Sequence, residues 1–199
     1  MQYFDTLPKI IKTQDGTSIV LVDLMARVSV IPELLKDPAL YYSYDIQEGD
    51  TPEIIAHKYY GDSYRYWIVL FANQILDPQW SWPLDGNSFK RYLEDKYPST
   101  NTSAVVKYYQ KIISQYDADT QTTTTNTVNI TQTVYNSLPT TSTQTVNLPT
   151  GQVAVTVVKN LLTLYDYEME LNEAKRNIKI LNSLYVDQLE TQLKNLMAK

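Results

Sequence analysis

Twenty consecutive positions, Tyr42 to Gly61, carry an alternating strand pattern, a glycine turn, a capped helix start and a helix stop. Tyr42, Tyr44 and Ile46 alternate with Ser43, Asp45 and Gln47, the period-two signature of a strand with one face in the core. Gly49 supplies a positive φ where the chain turns. Asp50 or Thr51 caps the next helix, with Glu53 three residues after Asp50 as a capping box and Pro52 in the first turn. Ile55 and Tyr59, flanked by Ile54 and Ala56, give this helix an apolar face, and Gly61 is placed to end it in a left-handed conformation. Asp62 or Ser63 then caps a second helix. From Tyr66 through Trp67 to Ala72 that helix is apolar nearly all round, which predicts burial on more than one side.

The rest of the composition excludes more than it selects. With 199 residues the chain is long enough for one or two domains with a real core. Its 17 basic and 22 acidic residues are interspersed, so the basic stripe of a nucleic-acid binder is missing. No cysteine is present, which removes disulfides, thiolate catalysis and cysteine metal sites. His57 is the single histidine, expected on the solvent side of its helix, so a histidine-rich metal site cannot be built within one chain. No Gly-x-Ser-x-Gly elbow, phosphate loop or dinucleotide turn occurs, and the five glycines leave little room for loop chemistry. The expectation is a non-enzyme without cofactor, metal or small-molecule substrate. The longest apolar run, within residues 66–72, is far short of the ~20 residues that span a bilayer. The first residues lack a secretion signal, so an intracellular product with no membrane partner is expected.

Four stretches organise the chain as an α+β protein. Residues 1–40 read as an arm: an apolar segment from Ile19 to Val22, an Asp23-capped helical piece with Leu24, Met25 and Val28, and a proline-bounded segment from Pro32 to Pro38. Residues 41–97 hold the compact module, a rigid aromatic turn at Asp77-Pro78 and Trp80-Ser81-Trp82-Pro83, and a helix near Ser88 to Lys96. Residues 98–160 differ in kind. From Thr120 to Val158 no side chain is charged and threonine dominates, yet Thr127 to Val134 and Val153 to Val158 carry the β-branched content of strands, so a β or extended insertion is expected.

Residues 161–199 read as one long amphipathic helix. Leu171, Ala174, Ile178, Leu181, Tyr185, Leu189, Leu193 and Leu196 recur at spacings of three or four, a single apolar stripe for a partner helix. On this reading Ile178→Asp leaves the module folded and breaks partner binding.

Gly49-Asp50-Thr51, Ile55-Ala56 and Tyr60-Gly61 resemble the first half of a LysM domain, a small βααβ module. The longer run from Tyr60-Gly61-Asp62 through Trp67-Ile68-Val69-Leu70 to Asn73, then Asp77-Pro78 and Trp80-x-Trp82-Pro83, resembles the LysM-containing baseplate wedge protein of contractile-tailed phages of the T-even type. Tyr3-Phe4-Asp5, Asp23-Leu24 and Asn172 to Leu181 resemble the start and the close of the same family. The resemblance covers about residues 1–97 and 165–199. It implies a structural virion protein, assembled in the host cytoplasm into the tail baseplate, docking on other wedge proteins and the sheath-initiating protein in a six-fold, hetero-oligomeric array. The LysM half alone implies a rival: a peptidoglycan- or chitin-binding module, with Thr51 and Trp82 in its site.

Overall fold

The computed structural model describes residues 3–14, 16–26, 28, 37, 39–148 and 151–197. The chain is α+β and divides into two compact units, residues 1–85 with 173–199, and residues 86–172.

The first unit contains β1 (Lys9–Gln14), β2 (Thr17–Val22), β3 (Tyr41–Asp45), α1 (Pro52–Tyr60), α2 (Tyr66–Ala72) and α3 (Pro78–Ser81). The second contains α4 (Gly86–Lys96), β4 (Val106–Asp117), β5 (Thr122–Ile130), α5 (Gln132–Ser137), β6 (Thr141–Leu148), β7 (Gly151–Thr163) and α6 (Leu164–Glu173). The chain then returns to the first unit with β8 (Asn177–Leu181) and α7 (Val186–Met197).

Local chemistry builds the start of the first unit. Thr51 is the cap of α1: its backbone is extended, its side chain accepts from the Ile54 N–H at 3.3 Å, and Pro52 opens the helix. Gly61 closes it at φ 69°, donating its N–H to the His57 carbonyl. Asp62 caps a short 3-10 turn, Ser63–Arg65, that leads directly into α2. Long-range pairing completes the unit. β3 runs antiparallel to β8 from Tyr41↔Leu181 to Asp45↔Asn177, so a strand from the far end of the chain closes the sheet next to α1 and α2. The core below it holds Ile55, Ala56, Ile68 and Val69, each 0% exposed, with Trp67, Ile178 and Ile180. α7 adds Val186, Leu193 and Met197 to the same core, and the Arg65 guanidinium holds α7 from outside through Asp187 at 2.9 Å and Glu190 at 3.1 Å.

The single carboxy-terminal helix expected from the apolar stripe is not formed. Leu171 lies on α6 and is exposed, Ala174 is in an exposed turn, Ile178 and Leu181 lie in β8, Tyr185 ends a 3-10 turn, and only Leu189, Leu193 and Leu196 share α7. The physical reason is that Asn177-Ile178-Lys179-Ile180 also has period two, with β-branched residues on one face. A strand partner at β3 lets that face be buried, which outweighs the small helical preference of the same residues. The expected module of residues 41–97 is divided as well, since the helix expected near Ser88 to Lys96 falls in the second unit. A second correction concerns Asp23: its side chain accepts the Met25 N–H at 2.9 Å in a turn, and residues 24–26 and 28 are not helical. Apart from Asp37, the Pro32 to Pro38 segment lies outside the described residues.

Ile19 to Val22 belongs to β2, which pairs with β1 as a hairpin from Lys9↔Val22 to Gln14↔Thr17. In the second unit most of the Thr-rich stretch is strand, but the strand expected from Thr127 to Val134 stops at Ile130: the Thr131 hydroxyl accepts the Val134 N–H at 3.4 Å as the cap of α5, so Gln132 to Val134 are helical. The sheet has the order β5-β4-β7-β6 and every neighbouring pair is antiparallel. Threonine suits it because a β-branched side chain packs well on a pleat, and its hydroxyls pair across strands, as in Thr143 with Thr156 at 3.2 Å.

Candidate interaction surface

The loop after β3 is held by Asp50. Its Oδ2 accepts from the Tyr44 hydroxyl at 2.5 Å and from the Gln47 N–H at 3.0 Å, and its carbonyl accepts the Trp82 indole N–H at 2.9 Å. Gly49, at φ 84°, makes the turn that brings these groups together. Burial, helped by the Asp50 carboxylate, raises the pKa of Tyr44, so its hydroxyl stays a donor. Lys58 Nζ lies 5.2 Å from the Tyr44 ring centroid and 5.7 Å from that of Tyr59, capping the pair from the solvent side. Beside the loop, Arg176 spans three partners: Glu173 Oε2 at 2.7 Å, Glu48 Oε2 at 3.5 Å and the Ile46 carbonyl at 3.1 Å. Gly49, Asp50, Thr51, Trp82, Pro83 and Arg176 thus border a groove of about 160 Å³.

The remaining signature residues divide between core, brace and surface. Ile55, Ala56, Tyr60 and Trp67 are buried, and burial pushes the Tyr60 hydroxyl far above its ordinary pKa. Asn73 is a brace. Its Nδ2 donates to the carbonyls of Val69 and Lys179 at 2.8 and 2.7 Å, and its Oδ1 accepts the Lys179 N–H at 2.8 Å. Asp77 caps α3 by accepting from the Gln79 N–H at 3.0 Å, with Pro78 in the first turn, and the Trp80 carbonyl accepts from Lys175 Nζ at 2.7 Å. The Trp80 side chain itself is 64% exposed, and His57 is exposed on α1.

The aromatic turn therefore splits in role: Trp82 is turned inward to the loop and Trp80 outward. Trp80 has company on the surface. Leu24, Met25, Leu76 and Leu184 are also largely exposed, and the β1–β2 hairpin carries Ile10, Ile11, Ile19, Val20, Leu21 and Val22 at 41–73% exposure. In register, Ile10 faces Leu21 on one side of the hairpin and Ile11 faces Val20 on the other, so both faces are apolar.

Several contributors had no signal in the local sequence. Arg176 and Lys179 reach loops more than a hundred positions away. In the second unit Glu168, 3% exposed, receives the Tyr92 hydroxyl at 2.9 Å, the Tyr97 hydroxyl at 2.7 Å and Lys96 Nζ at 2.9 Å, tying α6 to α4. Only a helix-facing acid within a tyrosine-rich context hinted at this cluster. Among the described residues no three His, Cys, Asp or Glu side chains gather as metal ligands, and no helix is long and apolar enough to cross a membrane. Comparison of the chain with protein-family models and with curated proteins finds no match.

Proposed function

We propose that this chain is a structural protein of a contractile phage tail, a baseplate wedge component that docks on core wedge subunits and the sheath-initiating protein and helps to join neighbouring wedges. On this reading β3, α1, α2 and β8 are a LysM-like βααβ module whose last strand follows an inserted sheet unit. The observation that carries the proposal is the hairpin. A two-stranded hairpin with apolar residues on both faces is marginal in water by itself, and its apolar area calls for cover by other subunits. The function is assembly by burial of surface and involves no reaction, cofactor or small-molecule substrate. Its place is the virion, after assembly in the host cytoplasm.

A peptidoglycan or chitin site at the Gly49–Trp82 groove fits less well. At about 160 Å³ the groove is smaller than the ~300–1,000 Å³ usual for ligand sites, and the Trp82 N–H is already spent on Asp50. Co-expression with the wedge subunits and the sheath-initiating protein of one contractile-tailed phage, followed by mass measurement of the purified complex, tests the proposal. A stoichiometric complex supports it. A chain that stays apart from every wedge subunit and binds chitin oligomers saturably, with loss on Thr51→Ala or Trp82→Ala, rejects it.

A further inference from the structure

The four-stranded sheet has two unlike faces. One carries a polar network in which Gln110 links Asn129 and Asn160, and Ser114 meets Thr125. The register puts Ile113, Val128, Val146, Val153, Val155 and Val157 on the other, an apolar row set among Gln115, Thr124, Asn126, Ser142 and Gln144. α5 covers one end of this apolar face, where Tyr135 packs on Tyr109 with ring centroids 5.0 Å apart. Beyond that end Val128 and Val146 remain 41% and 42% exposed, and Val153, Val155 and Val157 of β7 are half-buried.

The charges on the apolar face are arranged unevenly. Lys111 and Lys159 stand directly opposite each other, an arrangement that costs stability unless an anion approaches. Lys159 is occupied with the Leu138 carbonyl at 3.0 Å and the Tyr135 ring, whereas Lys111 makes no hydrogen bond or ion pair among the described residues. Six residues further along the same strand and on the same face lies Asp117. Its Oδ1 accepts turn N–H groups from Asp119 and Thr120, and hydrogen bonds from these two residues hold the carboxylate ionised.

We propose that this face is the contact between two copies of the chain, packed sheet on sheet about a two-fold axis that runs across the strands. Such an axis sets β4 antiparallel to its copy, centred near Ser114. Lys111 of each copy then meets Asp117 of the other, and Val155 and Val157 interleave with their counterparts. Face-packed sheets lie about 10 Å apart, within reach of a lysine and an aspartate extended toward each other. Four strands about 4.8 Å apart, with about eight residues each at about 3.3 Å, offer about 500 Å² per copy, and the two copies together about 1,000 Å². That area reaches the lower bound of specific interfaces. The contact is isologous, so both charge pairs form at once. It does not rest on the baseplate reading.

Light scattering and sedimentation equilibrium on the full chain test it. The expected mass is about twice 22.9 kDa at micromolar concentration. Lys111→Glu and Asp117→Lys should each weaken the dimer about tenfold, and Val155→Lys should leave a folded monomer by circular dichroism. Mixing the Lys111→Glu chain with the Asp117→Lys chain should restore a heterodimer, because both contacts are then of opposite sign. A monomer at about 100 μM, a dimer indifferent to both reversals, or a mixture that fails to reassociate overturns the proposal.

Discussion

Asn73 and Lys179 are joined by a reciprocal pair of hydrogen bonds. The Asn73 carboxamide donates to the Lys179 carbonyl at 2.7 Å and accepts its N–H at 2.8 Å, as a neighbouring strand would. One side chain at the end of α2 thereby satisfies the backbone edge of β8 on the side away from β3. Asn73→Ala leaves that edge unpaired and should cost about 1–3 kcal/mol. Thermal unfolding checks it, at about 2–4 °C lost per kcal/mol for a chain of this size. Asn73→Asp sets a carboxylate oxygen against the Val69 and Lys179 carbonyls and should cost at least as much as Asn73→Ala.

Ile178→Asp should unfold the first unit. Ile178 is 3% exposed in the core, so the substitution buries a carboxylate without a partner and removes apolar packing, together more than about 4 kcal/mol. The expectation drawn from a single long helix, a folded module that merely loses its partner, is thereby replaced. Circular dichroism of the purified variant decides between them.

Acid should loosen α4 from α6. Burial alone would push the Glu168 carboxyl up, but hydrogen bonds from Tyr97, Lys96 and Tyr92 outweigh it and hold the pKa below the ordinary carboxylate value. With a folded-state pKa below the unfolded one, the stabilisation is complete above the ordinary carboxylate range and is lost as pH falls through the folded value. Glu168→Gln should cost about 1–3 kcal/mol at neutral pH, reduced from a fully buried pair because Lys96 is 41% exposed, and should flatten the acid arm of the stability profile. Urea titrations at stepped pH measure both effects.

Gly61→Ala should destabilise the chain by about 1 kcal/mol, because φ 69° is a left-handed conformation that a Cβ disfavours. Among the described residues no heavy atom beyond the chain neighbours lies within 4 Å of the added Cβ, so the cost is backbone strain and Gly61→Asn should recover part of it. Chemical denaturation of the three proteins orders them.

Trp67→Ala should unfold the first unit. The ring is 4% exposed and packs against Tyr3 and Phe71, at centroid distances of 5.6 and 6.2 Å, so truncation costs about 3–5 kcal/mol. Loss of near-ultraviolet circular dichroism reports it.

The span from Thr51 to Ala72 was legible because its signals act over a few residues. A cap, a proline in the first turn and a left-handed glycine specify a helix whatever surrounds it, and seven apolar residues in a row must be buried somewhere. The threonine strands were legible for a related reason, since β-branching acts at each residue by itself. The stretch from residue 161 to residue 199 was not. Its residues satisfy a spacing of three and four and a spacing of two at once, and neither glycine nor proline marks where the helix stops. The choice between them is made by β3, whose Ser43 meets Asn177 across 134 positions and whose neighbour Ile46 accepts from Arg176 across 130. Burial against that distant strand is a cooperative gain of the folded chain, larger than any local preference, and no window of sequence contains both partners.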